Sequence, residues 1–277
     1  RQVQLDPSMR KDPQARADCF AQADVAILCL PDAAAREAVT LTADMDVRLI
    51  DASTAHRIDP DWVFGFPELA PEMRERIAAA RLVSNPGCYS TGAIAIVAPL
   101  VAAGLIDETE ALSINAVSGY TGGGKAMVAD FEAGTAPVHF IYGLDQRHKH
   151  IPEIMTHGGL LLQPVFAPSV GNFAQGMAVQ LPLQLDDDRS VAALHQALAD
   201  HYANEAFVQV VPADQIGARI DPTALNGSNV LRISVHGDDE TGCATIVAVL
   251  DNLGKGASGA AVQNMNIMLG LPEGTSL

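Results

Sequence analysis

A chain of 277 residues, 48% hydrophobic and 18% charged, is long enough for one large domain or two ordinary ones and apolar enough to bury a core. Its 17 Lys and Arg against 33 Asp and Glu give a net charge of −16, which disfavours nucleic acid and anionic membranes as partners. The four scattered cysteines lack CxxC spacing and zinc-like His partners, which predicts a reducing, cytoplasmic compartment and no metal site.

Neither a membrane helix nor a secretory signal is expected. The longest apolar run, residues 92–106, contains Pro99 and is shorter than the ~20 residues that a membrane helix needs. The opening "RQVQLDPSMRKDPQARADC" is polar and has no apolar core of the kind found in signal peptides. It also lacks an initiating Met, so we expect an N-terminal segment to be missing from this sequence.

Strand-like and helix-like segments alternate over the first part of the chain. The sequence predicts strands at 24–30, 47–53 and 81–85 and helices at 31–43 and 71–80. This β-α-β-α-β order predicts a Rossmann-like, doubly wound parallel sheet, whose ligands gather at the carboxyl ends of the strands. Nothing before Asp24 resembles the glycine loop of a dinucleotide-binding domain, so the first βα unit is expected to be absent from the chain.

After about residue 110, strand-like runs joined by turns predominate, such as "ALSINAVSG", "GMAVQLPLQL", "NVLRISVHG" and "CATIVAVLDN". Only a few helical segments interrupt them, among them "SVAALHQALADHYA". We therefore expect a second, α+β domain with a largely antiparallel sheet. The open face of such a sheet favours self-association as a homodimer or homotetramer.

Two glycine-rich segments are incomplete versions of nucleotide motifs. "GYTGGGKA" (119–126) has the GxxxxGK spacing of a P-loop, but Ala126 stands where Ser or Thr would bind magnesium. "GKGASG" (254–259) spells GxGxxG, yet the chain stops 18 residues later, with no room for a second strand. The second segment is either plain packing at a helix start or a helix N-terminus that faces an anion or amide.

The segment "SNPGCYSTGA" places Cys88 in front of an apolar helix that Ser90 or Thr91 could cap. A cysteine at the positive end of a helix has a lowered thiol pKa, which favours the nucleophilic thiolate. The alternative is a small buried hydrophobe at the helix start.

The candidate base lies in "GLDQRHKHIPEIM" (143–155), the densest basic segment of the chain. His150 could serve as acid/base with Glu153 three residues later to orient it, and an anionic substrate could be held there. His148 is the alternative base, and a solvated charged loop is the alternative structure.

These motifs together resemble the N-acetyl-γ-glutamyl-phosphate reductase family, in its shorter sequence type. The resemblance rests on "DASTAHRI", "NPGCYSTGA", "AVSGYTGGGK", "YGLDQRHKHIPEI" and "LDNLGKGASGAAVQNMN", in order over nearly the whole chain. It implies the fold of aspartate-semialdehyde dehydrogenase and NADPH-dependent reduction of an acyl phosphate in arginine biosynthesis, with release of inorganic phosphate. It also implies a dinucleotide-binding domain at 1–88 and 254–277 and a catalytic, oligomerising domain at 89–253.

The resemblance further implies the roles of individual residues. Cys88 would be the nucleophile, His150 the acid/base and Glu153 its support. Cofactor contacts are expected from Leu30, Pro31, Ser53, Thr54, Asn252, Gly254, Lys255 and Gly256. Substrate contacts are expected from Ser118, Gly119, Tyr120, Arg147 and Lys149.

Three other functions fit parts of the sequence. A cysteine hydrolase could use the Cys88, His150 and Glu153 group with water and no cofactor. A P-loop phosphotransferase could use "GYTGGGK", although Ala126 argues against it. A non-catalytic binding module would leave Cys88 as a core residue at a helix start.

Overall fold

The computed structural model of the chain describes residues 3–187 and 189–277. They form two compact units, the first running to Pro86 and including Ala261–Ser276, the second comprising Gly87–Ala260. In this division Cys88 and the turn at Gly254 both belong to the second unit. Within the described residues, no helix combines the length and the apolar character that a membrane crossing requires.

The first unit contains short strands separated by helices. Its elements are α1 (Pro13–Phe20), β1 (Val25–Leu28), α2 (Asp32–Leu41), β2 (Arg48–Asp51), β3 (Val63–Phe64), α3 (Met73–Ala79) and β4 (Leu82–Ser84). The four strands pair in the order β1-β2-β4-β3, and every pairing is parallel. The parallel sheet predicted from the alternation of strands and helices is thereby confirmed.

Two elements of the first unit were not predicted. Helix α1 lies in the polar N-terminal segment, where the side chain of Asp12 accepts a hydrogen bond from the Ala15 N–H and Pro13 occupies the first turn. Strand β3 has only two residues, too few to show a periodicity. Both elements depend on local capping or on pairing with β4 rather than on a hydrophobic pattern.

Both faces of the parallel sheet are covered, as a doubly wound fold requires. Leu49 packs with Leu28, Ala38, Val47 and Trp62 on one face. Its neighbour Ile50 points to the other face and packs with residues of α3, β4 and the C-terminal helix, namely Ile77, Val83, Ala261 and Met268. Successive strand residues therefore serve two separate cores, which explains why the strands are apolar at consecutive positions.

The second unit is built on a larger sheet. Its elements are α4 (Cys88–Ala102), β5 (Ser113–Gly119), α5 (Gly124–Glu132), β6 (His139–Ile141), α6 (Ile151–Gly158), β7 (Val165–Gly171), β8 (Met177–Gln184), α7 (Val191–His201), β9 (Val208–Val210), α8 (Ala213–Ile216), β10 (Leu231–Asp238) and β11 (Cys243–Leu250). A final helix, α9 (Gly259–Met268), runs from this unit into the first.

The seven-stranded sheet has the order β6-β7-β5-β8-β11-β10-β9. Strands pair antiparallel at β6–β7, β5–β8, β8–β11 and β10–β11, and parallel at β5–β7 and β9–β10. The expectation of a largely antiparallel sheet is confirmed, with two parallel pairings that the sequence did not reveal. Helix α4 packs across β8 and β11 and α7 packs along β10, so these helices cover one face of the sheet.

Candidate active site

Cys88 is the first residue of α4, and Gly87 in extended conformation is the residue before the helix. The prediction that Ser90 or Thr91 caps this helix is wrong, because the helix begins two residues earlier than Ser90. Both hydroxyls instead donate to the Gly87 carbonyl, at 2.9 Å each. The half-buried thiol of Cys88 therefore lies in the first turn, where the helix dipole favours a thiolate.

Helix α6 carries the acid/base candidate at its start. His150 is the residue before the first turn of α6, and Glu153 lies in that turn with only 1% of its surface exposed. The Glu153 carboxylate accepts a hydrogen bond from the Gly87 N–H at 2.8 Å. This contact holds the residue that precedes Cys88 and joins the starts of α4 and α6.

Aromatic side chains surround this junction. Tyr89, the residue after Cys88, lies with its ring centre 5.9 Å from that of His150 and 6.0 Å from that of His148. The Tyr89 hydroxyl donates to the Ser169 carbonyl at 2.8 Å and lies 2.8 Å from the Ser118 hydroxyl. Because the carbonyl can only accept, the one hydroxyl proton of Tyr89 is used in this bond, and the Ser118 hydroxyl is the donor to the Tyr89 oxygen.

Tyr142 belongs to the same aromatic cluster, with its ring centre 5.5 Å from that of His148. Burial is the main cause that raises the pKa of Tyr142 to about 12; a hydrogen bond with Tyr89 opposes the shift, and charge on Cys88 contributes to it. Burial, followed by smaller terms that include charge on Cys88, also raises the pKa of Tyr89. Both phenols therefore remain protonated within reach of the field of a Cys88 thiolate.

The segment "GKGASG" forms one wide helical turn, Gly254–Ser258, directly before α9. Its hydrogen bonds span five residues, from Gly256 N–H to the Asp251 carbonyl and from Ser258 N–H to the Leu253 carbonyl, both at 2.9 Å. A Cβ at Gly256 would lie 2.9 Å from the Cβ of Cys88. The glycines thus serve close packing at a helix start, and the Gly256 backbone lies against Cys88, the candidate nucleophile.

Asn252 and Lys255, predicted as cofactor contacts, are both buried. The Asn252 amide accepts the Gly176 N–H at 2.7 Å and donates to the Thr121 hydroxyl at 3.0 Å. The Lys255 ammonium lies over the ring of Phe207, 5.9 Å from its centre. Through Gly176 and Thr121, the Asn252 side chain joins the loops that follow β7 and β5. The sequence predicted neither this structural role of Asn252 nor the involvement of Thr121.

The predicted substrate contacts at 118–120 lie at the carboxyl end of β5. Ser118 bonds Tyr89, the Gly119 N–H donates to the Gly176 carbonyl at 2.9 Å, and Tyr120 stacks on Phe131. Arg147 and Lys149 are exposed on the loop that precedes α6. These two cations flank His148 in sequence and remain available to an anionic ligand.

The predicted cofactor contacts of the first unit lie at the carboxyl edge of its parallel sheet. Leu30 is exposed, and Pro31 precedes α2. The Thr54 N–H and hydroxyl donate to the Asp32 carboxylate at 3.0 and 2.5 Å, which ties the loop after β2 to the start of α2. Ser53 is buried and its hydroxyl donates to Asp51 at 2.7 Å.

A buried polar pair that sequence reasoning missed supports this edge. The His56 ring lies 2.6 Å from Asp51 through Nδ1 and stacks on Trp62 with ring centres 4.2 Å apart. The sequence "DASTAHRI" could have indicated this pair, because Asp51, Ser53 and His56 lie within six positions at the end of a predicted strand.

Comparison with known proteins identifies relatives over nearly the whole chain. The family model described as semialdehyde dehydrogenase, NAD binding domain, matches residues 5–78, and the one described as semialdehyde dehydrogenase, dimerisation domain, matches residues 88–252. N-acetyl-gamma-glutamyl-phosphate reductase of Brucella anthropi is 52% identical over 97% of this chain and 90% of its own length. The protein of the same name from Brucella ovis is 50% identical over the same shares of the two chains.

Solved structures share the fold at much lower identity. Aspartate semialdehyde dehydrogenase II from Vibrio cholerae superimposes with a TM-score of 0.68 at 16% identity, over 90% of this chain and 81% of that one. Aspartate semialdehyde dehydrogenase from Francisella tularensis superimposes with a TM-score of 0.68 at 14% identity, over 96% of this chain and 89% of that one. The predicted aspartate-semialdehyde dehydrogenase fold is confirmed.

The close approach of Gly256 to Cys88 leads to a first prediction. Gly256→Ala places a methyl group 2.9 Å from the Cys88 Cβ and forces one of the two backbones to move. We expect the alkylation rate of Cys88 by iodoacetamide to change at least ~3-fold, and stability to fall by ~1–3 kcal/mol, the usual cost of overpacking. Gly122→Ala, whose Cβ would meet its nearest neighbour at an ordinary 3.5 Å, is the matched control. Equal alkylation rates in both variants would contradict the prediction.

Proposed function

Because this chain belongs to the N-acetyl-γ-glutamyl-phosphate reductase family, we propose that it reduces N-acetyl-γ-glutamyl phosphate with NADPH, giving N-acetyl-glutamate semialdehyde, inorganic phosphate and NADP⁺. This is a step of arginine biosynthesis. The observation that supports the chemistry best is the position of Cys88, in the first turn of α4 beside Gly87, which Glu153 holds. A thiolate there is exposed enough to meet a small substrate and has histidines close to its neighbouring residue.

The proposed reaction begins with attack of the Cys88 thiolate on the acyl carbon. A carbon–sulfur bond forms, the carbon–oxygen bond to phosphate breaks, and a thioester remains on Cys88. NADPH, when bound, supplies the hydride that brings this acyl group to the aldehyde level. His150 gives a proton to the carbonyl oxygen as it becomes charged and takes it back as the double bond re-forms and the carbon–sulfur bond breaks.

The residues of the first unit fit a nucleotide at the carboxyl edge of the parallel sheet. Leu30 offers exposed apolar surface beside the start of α2, and the bonds of Thr54 to Asp32 keep the two strand-end loops together. Leu30, Pro31, Ser53 and Thr54 would hold the cofactor there. Asn252, Gly254, Lys255 and Gly256 are proposed as further contacts, chiefly through backbone groups, because the Asn252 amide bonds Gly176 and Thr121.

Substrate selection is proposed to depend on local positive charge. The chain carries a net charge of −16, so an anionic acyl phosphate is attracted only where basic side chains gather. The exposed Arg147 and Lys149 are the proposed partners of the substrate carboxylate, with Ser118, Gly119 and Tyr120 lining the same site. All four cysteines are free thiols, in keeping with the proposed cytoplasmic location.

Removal of the nucleophile tests the covalent route. Cys88→Ala should abolish NADPH oxidation, because no thioester can form, while NADPH affinity measured by fluorescence titration stays within ~2-fold. Cys19→Ala in α1 is the matched control and should retain full turnover. Mass spectrometry of the wild type with N-acetyl-glutamate semialdehyde and NADP⁺, without phosphate, should show an acyl adduct on Cys88. Turnover by Cys88→Ala, or hydrolysis without NADPH oxidation, would contradict the proposal.

Replacement of His150 tests the proton transfer. His150→Asn should lower kcat ~100-fold or more, the usual scale for losing a general acid/base, and should flatten the pH profile of kcat near neutrality. NADPH affinity should not change, so KM for NADPH is the internal control. A loss within ~2-fold would move the acid/base role to another group, with His148 the first alternative.

The second unit is proposed to form a homodimer or a homotetramer through the open face of its sheet. Helices α4 and α7 cover one face, whereas Val165 on the other face is 56% exposed. Ile141 is 55% exposed and pairs with Ser169, which shares the face of Val165 by the alternation of strand residues. Farther along this face Ala178, Val247 and Val249 are buried, with Ile220 and Leu225 packed against them. The exposed apolar part at β6 and β7, in a region matched by a dimerisation-domain model, supports an interface between two copies.

A charge on this face should disrupt the assembly. Val165→Glu places an unpaired charge in the proposed apolar interface and should raise the dissociation constant ~100-fold or more, measured by sedimentation velocity. Leu271→Glu, at a similarly exposed leucine of the first unit, is the control and should leave the assembly intact. A monomeric wild type, or an unchanged assembly in Val165→Glu, would exclude this face as the interface.

A further inference from the structure

His148 is held by aromatic rings on several sides. Its ring centre lies 4.8 Å from that of His150, 5.1 Å from Phe166, 5.5 Å from Tyr142 and 6.0 Å from Tyr89, each at a steep interplanar angle. These residues come from α4, β7 and the loop between β6 and α6. The orientation of the His148 ring is therefore fixed before any substrate arrives.

One ring nitrogen of His148 is already in use. The backbone N–H of His150 donates to Nδ1 of His148 at 3.2 Å. An N–H group can only donate, so Nδ1 must present its lone pair and the ring proton must lie on Nε2. No group within residues 3–187 and 189–277 accepts a hydrogen bond from Nε2 of His148. The Nε2–H is thus a donor that the protein leaves for a ligand.

The ring is also uncharged near neutrality. Burial lowers the pKa of His148 to about 4, the charge on Lys149 lowers it further, and Asp145 opposes the shift. Tyr89 and Tyr142, which face the ring from α4 and from the preceding loop, have raised pKa values and add no charge. His150 is the remaining titratable ring in contact. A group with these properties can donate a hydrogen bond but does not supply a transferable proton at neutral pH.

We propose that His148 is a further catalytic residue, whose neutral Nε2–H donates a hydrogen bond to the carbonyl oxygen of the acyl group attacked by Cys88. The inference rests on the proposed acyl-phosphate reduction. Negative charge develops on that oxygen both when sulfur adds to the acyl carbon and when hydride adds to the thioester. A neutral donor stabilises this charge without protonating the thiolate beside it. His148 and His150 therefore have different tasks, electrostatic stabilisation and proton transfer.

Two substitutions separate donation from packing. His148→Gln keeps a terminal N–H donor at a similar distance from the backbone, whereas His148→Phe keeps a ring in the aromatic cluster without any donor. We expect kcat to fall ~100-fold in His148→Phe, the scale for loss of one such donor, and less than ~10-fold in His148→Gln. KM for NADPH should stay within ~2-fold, and the pH profile of kcat in His148→Gln should keep its wild-type form. His139→Gln, at an exposed histidine of β6, is the matched control.

A spectroscopic measurement tests the protonation state without turnover. In protein labelled with ¹⁵N at histidine, the signal absent from His148→Gln should report a neutral ring protonated on Nε2 from about pH 6 to about pH 8. This spectrum needs neither substrate nor cofactor. Failure of the proposed reduction would appear in the wild-type assay, and failure of the His148 assignment would appear in the spectrum.

Three results would overturn the inference. The first is a His148 signal that is charged at neutral pH or protonated on Nδ1. The second is a folded His148→Phe, verified by its thermal melting curve, with kcat within ~3-fold of wild type. The third is loss of the pH-dependent limb in His148→Gln, which would make His148 the proton-transfer residue. Retention of activity by His148→Gln with loss in folded His148→Phe supports the donor role.

Discussion

The hydrogen bond between the Glu153 carboxylate and the Gly87 N–H is the contact on which the arrangement of the site depends. Gly87 precedes Cys88, the proposed nucleophile, and Glu153 follows His150, the proposed acid/base, by three residues. The bond at 2.8 Å therefore brings the starts of α4 and α6 together. A buried carboxylate that accepts a backbone N–H contributes ~1.5–3 kcal/mol. It also adds negative charge at the N-terminus of α4, where the helix dipole stabilises an anion.

That arrangement has an electrostatic consequence for the nucleophile. The positive end of α4 favours the Cys88 thiolate, whereas a nearby buried carboxylate opposes it. The Cys88 thiolate is therefore favoured only if its attraction to the positive end of α4 and to nearby hydrogen-bond donors exceeds its repulsion by the Glu153 carboxylate. Tyr89 contributes no donor to it, because its proton is committed to the Ser169 carbonyl. The proposed donor to the reacting oxygen is therefore a different side chain, His148.

The sequence could predict what depends on neighbouring residues. The parallel sheet followed from the alternation of apolar strands and helices, and the position of Cys88 at a helix start followed from Pro86, Gly87 and the apolar run behind them. The capping residue was predicted wrongly, because Ser90 and Thr91 can bond backward to a carbonyl as easily as forward to an N–H. Sequence alone gives no means of choosing between the two.

Contacts between distant parts of the chain were beyond such reasoning. Glu153 and Gly87 are 66 residues apart, and Tyr89 and Ser169 are 80 apart. The expectation that Glu153 orients His150 stays a prediction, and the bond from the Gly87 N–H is a further contact of Glu153 that spacing within one segment could not indicate. The same limit explains why Ser118 and Asn252, which the sequence assigned to ligands, are found bonded to Tyr89 and to Gly176 and Thr121.

The spacing of the two histidines can now be given a physical reason. The group that fixes the tautomer of His148 is the backbone N–H of His150 and not a side chain. The donor role proposed for His148 therefore depends on the conformation of the main chain between the two histidines. The side chain of residue 150 can change without releasing Nδ1 of residue 148. By contrast, an insertion between the two residues would separate Nδ1 of His148 from this N–H donor and leave the tautomer unfixed. The two roles therefore depend on the interval between the histidines as much as on the histidines themselves.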